Sequence, residues 1–174
     1  MKTKRVAWIG MLVALAMILS YIESLIPVFV AVPGMKLGLT NLVVLVALVA
    51  LDVRYAFFIN LVRIVLVAFT FGNAFSMMYS LAGGMLSLLV MLLCYRSNKF
   101  SLLGVSVAGG VAHNAGQILV AAFVLETGLV LYYLPILCIS GVVAGAVIGI
   151  IGGNVLQRLP KNIFAKGETD GKQK

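Results

Sequence analysis

The sequence predicts an all-α integral membrane protein whose residues 1–160 form a single domain of six transmembrane helices. Of its 174 residues, 63% are apolar and 10% are charged, whereas soluble domains average about 45–50% and about 25%. The mean hydropathy is +1.16, and a soluble fold of this size cannot hide so much apolar surface. Apolar segments of membrane-spanning length follow one another, with cations at their ends. A soluble enzyme, a nucleic-acid-binding domain and a disordered linker are thereby excluded.

The first predicted helix covers residues 5–27. Its start is similar to a signal peptide, because the basic segment Met1–Arg5 is followed by the apolar segment Val6–Leu19. No small-x-small cleavage site follows, and the apolar sequence continues beyond Glu23. We therefore expect this segment to remain as a transmembrane helix.

Five further helices are predicted, and the first of these is short. Only the 15 residues Leu37–Leu51 separate Lys36 from Asp52, whereas a spanning helix needs about 20. Either this helix crosses with little tilt, or the loop before it enters the membrane, where irregular backbone must be covered by protein or by a water-filled cavity. The five ranges are 38–51, 54–70, 74–95, 101–125 and 129–157. Residues 161–174 are polar and are expected to form a cytoplasmic tail.

The distribution of Lys and Arg predicts the orientation. With six spans and the N-terminus inside, eleven of the thirteen cations fall on the cytoplasmic side, as the positive-inside rule requires. These eleven are Lys2, Lys4, Arg5, Arg54, Arg96, Lys99, Arg158, Lys161, Lys166, Lys172 and Lys174. The other two are Lys36, in an outer loop, and Arg63, within a helix. We expect a multi-pass protein of a bacterial cytoplasmic membrane with both termini inside.

Ten polar or charged residues fall in or beside the apolar segments. Such residues are costly in lipid and usually face the interior of a helix bundle or a cavity. At a rise of about 1.5 Å per helical residue, they gather in the outer half of the membrane. This placement indicates a pocket that opens outward and not a channel across the membrane. The ten are Glu23, Lys36, Asn41, Asn60, Arg63, Asn73, His113, Asn114, Gln117 and Glu126.

The segment from His113 to Gln117 is the most informative polar group. His113 and Gln117 are four residues apart and share one helix face, with Asn114 about 100° away. This face either holds a ligand or hydrogen-bonds to neighbouring helices, and the sequence leaves both interpretations open. A metal site is not expected, because one His without nearby Cys or Asp is a poor ligand set.

Two cations have alternative interpretations. Arg63 pairs with Glu23, binds an anionic ligand, or extends its side chain toward the membrane surface. Lys36 lies in a Pro- and Gly-containing turn, residues 33–38, which forms either a lid over the pocket or a hydrated loop.

The remaining motifs bear on catalysis and on partners. The chain has no phosphate-binding Gly-rich loop and no Ser/His/Asp or paired-carboxylate arrangement, so we expect neither enzymatic activity nor a cofactor. The small residues Gly10 and Ala14 are four apart and either admit a partner helix or pack internally. Four tyrosines near the outer interface either form an aromatic belt or stack on a planar ligand: Tyr21, Tyr79, Tyr132 and Tyr133.

Two groups of motifs carry a family resemblance that covers residues 5–157. Residues 33–41, Pro-Gly-Met-Lys-Leu-Gly-Leu-Thr-Asn, resemble the first-loop signature of the substrate-binding S components of energy-coupling factor (ECF) vitamin transporters. Gly72-Asn73, residues 80–84 and His113-Asn114-x-Gly116-Gln117 are more similar to a small membrane family known as heptaprenyl diphosphate synthase component I, or Gx transporter. That family is itself similar to S components.

The resemblance implies a six-helix S-component fold without enzymatic activity of its own. It implies a vitamin-like solute bound near the outer face, a transmembrane coupling subunit and two cytoplasmic ATPases as partners, and docking through Gly10 and Ala14. The expected substrate-binding residues are Lys36, Asn41, Arg63, Asn73, His113, Asn114 and Gln117. The cations favour a small anionic solute, for example a flavin. We expect membrane lipid around the protein and no nucleic-acid partner.

The alternative is an accessory membrane subunit in isoprenoid or quinone metabolism, with a lipid partner. Such a subunit should have a groove that opens sideways to the bilayer. Prenyl synthases need Asp-rich motifs for Mg²⁺-diphosphate, and this chain has only Asp52 and Asp170. A catalytic role in that reaction is therefore not expected.

Overall fold

The computed structural model describes residues 2–25 and 36–159, with side chains from Val6 onward. This described part is helical and contains no strand, which confirms the all-α prediction. The predicted polar tail, residues 161–174, and the turn residues 33–35 lie outside it.

Six α-helices and one 3₁₀-helix make up the described part. Their bounds are α1 Lys2–Leu25, α2 Asn41–Ala50, α3 Val53–Thr70, α4 Ala74–Arg96, α5 Leu102–Val124, the 3₁₀-helix Gly128–Tyr133, and α6 Leu134–Arg158. Five of the segments are long and apolar enough to cross a membrane, whereas α2 has only 10 residues. The chain is thus a multi-pass membrane protein. The six-span count and the inside location of both termini stay predictions.

The last helix begins differently from the prediction. Residues 129–157 were expected to form one helix, but the chain forms the 3₁₀-helix first and α6 begins only at Leu134. Pro135 stands in the first turn of α6. Proline is suited to that position because the first helical N–H groups have no intrahelical partner. Its ring prevents residues 128–133 from forming one continuous α-helix with α6.

Helix α5 lies between α4 and α6 at very short backbone distances. A Cβ atom placed on Gly110 would lie 2.4 Å from the carbonyl oxygen of Gly141 on α6, and one on Gly116 would lie 2.8 Å from that of Ala82 on α4. Glycine is needed at such positions because it lets two helix backbones approach closely. The three helices α4, α5 and α6 therefore form a tightly packed layer.

The short helix α2 is enclosed by the other helices. Seven of its ten residues are buried, and its side chains share a core with Leu12 and Ala16 of α1 and with Ile59 of α3. The far end of Leu45 lies 3.2 Å from the Cβ position of Gly152 on α6. Other helices of the protein therefore cover most of the surface of α2.

Candidate functional site

The segment that leads into α2, residues 36–40, passes through the interior of the bundle. Lys36 is only 9% exposed, and Gly38 has a φ of +86° in the left-handed region, where glycine is favoured. A Cβ atom on Gly38 would lie 2.9 Å from His113 Cδ2 and 3.0 Å from Asn41 Nδ2. Lys36 is therefore not in a hydrated loop, and its segment lies directly against α5.

Gln117 of α5 holds this segment in place. The backbone N–H of Lys36 donates to Gln117 Oε1 at 2.8 Å, and Gln117 Nε2 donates to the Lys36 carbonyl oxygen at 2.7 Å. Both hydrogen bonds are buried, and one side chain thus satisfies both backbone groups of one residue.

Glu23 of α1 holds the same segment from another side. Its Oε1 accepts from the backbone N–H of Gly38 and from that of Leu39, the latter at 3.2 Å. Its Oε2 has no hydrogen-bond partner within residues 6–25 and 36–159, although Glu23 is only 3% exposed. The Glu23 carboxylate thus accepts hydrogen bonds from backbone N–H groups. It is not hydrogen-bonded to Arg63, although the sequence analysis considered that pair.

Arg63 of α3 is 1% exposed. Its Nε and Nη2 donate to Asn60 Oδ1 at 3.1 Å and 2.9 Å, an arrangement within one helix face. Gly84 of α4 makes the space for this group, since a Cβ atom there would lie 3.2 Å from Arg63 Nη2.

The cations and the carboxylate influence one another. Burial lowers the pKa of the Lys36 ammonium, the Glu23 carboxylate opposes this change, and the Arg63 guanidinium adds to it. The charges of Glu23 and Arg63 therefore both act on the protonation of Lys36.

Two further side chains border the segment and have unused hydrogen-bonding groups. His113 is 1% exposed and Asn41 is 3% exposed. The amide of Asn41 has no hydrogen-bond partner among the described residues, and the ring nitrogens of His113 form no hydrogen bond of normal geometry there, although the Gly83 backbone lies against the ring. We use the term buried polar cluster for these two residues and the five around them, namely Glu23, Lys36, Asn60, Arg63 and Gln117.

Asn114 and Asn73 have other contacts. Asn114 is fully buried, and its Nδ2 donates to the carbonyl oxygen of Leu137 on α6 at 2.7 Å, while its Oδ1 has no partner in the described part of the chain. Asn73 is exposed and caps α4, because its side chain accepts from the backbone N–H of Ser76 at 2.8 Å. The structure therefore brings five of the seven predicted binding residues into the cluster, with Asn114 adjacent on α5.

The face of α4 toward the cluster was not identified as part of a site from the sequence. Ser80, Gly83, Gly84 and Ser87 are all buried, and a Cβ atom on Gly83 would lie 2.9 Å from Gln117 Cγ. Their spacing of three and four residues places them on one helix face. That spacing of small residues is the signal by which the sequence alone indicates this face.

Gly10 and Ala14 lie on an exposed face of α1. Both residues are exposed, and a Cβ atom on Gly10 would have no atom within 4 Å. Of the tyrosines considered for ligand stacking, Tyr79 is 3% exposed, Tyr132 is 82% exposed, and Tyr21 contacts the edge of Phe71 with ring centroids 5.3 Å apart.

The donors of the buried polar cluster suit an organic ligand. Among the described residues, no group of three or more His, Cys, Asp and Glu side chains is close enough to hold a metal ion. The cluster instead offers an imidazole, carboxamides, an ammonium and a guanidinium, which form hydrogen bonds and charge-assisted hydrogen bonds.

Comparison with known proteins agrees with the resemblance found in the sequence. A search of curated proteins found no significant match. The profile of the family described as heptaprenyl diphosphate synthase component I matches residues 12–155, which include all six α-helices in whole or in part and every residue of the buried polar cluster. The chain belongs to the heptaprenyl diphosphate synthase component I family.

Proposed function

We propose that this chain is the membrane-embedded substrate-binding subunit of an ECF-type transporter and that the buried polar cluster holds a small anionic solute. One observation carries the proposal, namely the buried polar atoms of Asn41 and His113, for which the described residues supply no hydrogen bond of normal geometry. Buried polar groups nearly always have hydrogen-bond partners. A solute bound against residues 36–41 supplies these partners.

The charge of the cluster supports an anionic solute. Lys36 and Arg63 are cations, and Glu23 is the carboxylate among the cluster's members. Burying an unbalanced charge is costly unless an opposite charge accompanies it. A carboxylate or phosphate on the solute balances the excess positive charge.

The exposed face of α1 supports the proposed partners. Gly10 and Ala14 leave a shallow surface on which a second helix can pack at short distance. In the proposed assembly this face binds a transmembrane coupling subunit, and two cytoplasmic ATPases drive transport. The chain itself performs no catalysis, and membrane lipid covers its remaining apolar faces.

The test is native mass spectrometry of the protein purified in mild detergent. We expect one small molecule bound per chain, which is retained in the Gln157→Ala control because Gln157 is exposed on α6. His113→Ala should weaken its binding about 5- to 150-fold, since a buried unpaired hydrogen-bonding group costs about 1–3 kcal/mol.

Three results would contradict the proposal. Absence of any bound small molecule in the unmodified protein would remove the solute-binding role. Retention of an isoprenoid lipid instead would favour the accessory subunit of isoprenoid or quinone metabolism. Equal retention in His113→Ala and Gln157→Ala would place the solute outside the buried polar cluster.

A further inference from the structure

The turn before α2 presents two consecutive backbone N–H groups to a single anion. Gly38 and Leu39 both donate to Oε1 of Glu23. Successive N–H groups in a turn that contains a left-handed residue form a concave anion-binding site, and Gly38 supplies that residue with a φ of +86°. In this structure the anion in that site belongs to the protein itself.

Glu23 fills the site incompletely. Oε1 accepts both hydrogen bonds, while Oε2 has no partner among the described residues although Glu23 is only 3% exposed. Lys36 and Arg63 are buried in the same cluster as Glu23. An anion whose oxygens are better placed than those of Glu23 can use these two cations in addition to the two N–H groups.

Unpaired side chains border the same turn. His113 lies against Gly38, with its Cδ2 2.9 Å from the Cβ position of that glycine, and Asn41 Nδ2 lies at 3.0 Å from it. Both residues are more than nine-tenths buried. The Asn41 amide nitrogen has no hydrogen-bond partner among the described residues, and the His113 ring nitrogens make none of normal geometry there. The anion site therefore continues into groups that are free to bind the rest of a ligand.

We propose that Glu23 occupies the subsite for the acidic group of the ligand, a carboxylate or a phosphate, and that binding of the ligand displaces it. This inference rests on the proposed function, because it concerns the same site. Glu23 then acts as an internal competitor. Neutralising it strengthens the binding of an anion, whereas removing an ordinary ligand-contacting residue weakens binding.

The test compares Glu23→Gln with the unmodified protein, and inorganic phosphate and acetate serve as the probes. Gln keeps an oxygen that accepts from the backbone N–H groups but lacks the negative charge. We expect phosphate to bind Glu23→Gln about 10- to 100-fold more tightly, as judged from the phosphate dependence of the thermal unfolding midpoint in detergent. Glu126→Gln, an exposed position, should leave phosphate affinity unchanged.

A second variant keeps the test decisive if Glu23→Gln does not fold. Glu23→Asp retains the charge but withdraws the carboxylate by one methylene group, so it competes less well, and we expect a several-fold gain in phosphate affinity. Unchanged or weaker binding of both phosphate and acetate in whichever variant folds would overturn the inference. A larger gain with acetate than with phosphate would assign the subsite to a carboxylate.

Nanodiscs distinguish a dissolved anion from a lipid headgroup. In phosphatidylcholine nanodiscs, added phosphate should stabilise Glu23→Gln if the ligand is dissolved. If a headgroup supplies the anion, adding phosphatidic acid to the nanodiscs should stabilise the variant before phosphate is present. Either result supports the subsite, and stabilisation by neither would overturn it.

The result is separable from that of the proposed function. If native mass spectrometry finds no bound solute but Glu23→Gln gains phosphate affinity, the transport role fails and the anion subsite stands. If the unmodified protein retains an anionic solute while Glu23→Gln gains no affinity, the transport role stands and the role of Glu23 as a competitor fails.

Discussion

The side-chain amide of Gln117 exchanges two hydrogen bonds with the backbone of Lys36, a residue 81 positions earlier in the chain. This pair joins the middle of α5 to the segment that leads into α2. Gln117 and His113 are on one face of α5. This face therefore holds residues 36–40 through Gln117 and places the His113 ring beside them. The structure thereby unites the two sequence motifs that were recognised separately.

Asn114→Ala should lower the stability of the unliganded protein. The substitution removes the hydrogen bond that joins α5 to the Leu137 carbonyl oxygen on α6. An interhelical hydrogen bond of this kind contributes about 0.5–2 kcal/mol in membrane proteins. Thermal unfolding in detergent measures the effect, and Asn154→Ala, exposed on α6, is the matched control. Equal unfolding midpoints for the two variants would contradict a structural role for Asn114.

Gly110→Ala should destabilise the layer formed by α4, α5 and α6. The added methyl group would lie 2.4 Å from the Gly141 carbonyl oxygen. The methyl group is fixed to the α5 backbone and the oxygen belongs to the α6 backbone, so the clash is relieved only if one helix moves. Overpacking of this kind costs about 1–3 kcal/mol. Gly153→Ala adds the same methyl group where the nearest atom is at 3.6 Å, and its unfolding midpoint should be unchanged or higher. A Gly110→Ala protein as stable as the unmodified one would show that the helices separate without cost.

Gly10→Leu and Ala14→Leu should reduce co-purification with a coupling subunit while leaving the fold intact. Gly10 has no neighbour within 4 Å of its Cβ position, and Ala14 is exposed, so a larger side chain disturbs nothing within the chain. In a complex it would hold two helix backbones apart. Gly128→Leu is the matched control, since that glycine is also open. Normal co-purification of both α1 variants would exclude this face as the docking surface.

Cysteine labelling tests the orientation. In a background where Cys94 and Cys138 are replaced by Ala, a membrane-impermeant maleimide should label Gly128→Cys in intact cells. Ser97→Cys should react only after permeabilisation, because the cation distribution places the α4–α5 connection inside. Both positions are exposed in the structure, so access from water is the only variable. Labelling of Ser97→Cys from outside would reverse the predicted topology.

Binding of an anion should weaken as the pH rises, because the Lys36 ammonium loses its proton. Burial lowers the pKa of this group, so its charge is lost at a lower pH than that of an exposed lysine. Acetate is a suitable probe, since its own charge is constant above about pH 6. Lys36→Arg should extend acetate binding to higher pH, because a guanidinium keeps its proton to about pH 12.

The matched control for this pH dependence is Lys99→Arg, at an exposed position. It should show the same fall in acetate binding as the unmodified protein. A pH profile that Lys36→Arg leaves unchanged would mean that the Lys36 charge does not contribute to anion binding.

The predicted and observed helices agree where the local sequence decides the structure. Apolar segment length and the charged residues at the segment ends predicted five helices whose observed ends lie within a few residues of the expected ones. The 3₁₀-helix before α6 was not predicted, because the hydropathy of residues 128–133 does not distinguish it from the start of a longer helix. Pro135 was the available signal, and the structure shows its effect.

The sequence is sufficient to predict an all-α membrane protein whose polar residues within the apolar segments face inward, because segment length, hydropathy and the cost of charge in lipid are properties of the local sequence. Which of these residues meet depends on the tertiary structure. It placed Glu23 on the backbone of Gly38, Gln117 on Lys36, and Asn73 at a helix cap. Contacts between residues far apart in the chain depend on how the helices pack, and that packing is set by close approaches such as Gly110 to Gly141, which no single segment specifies.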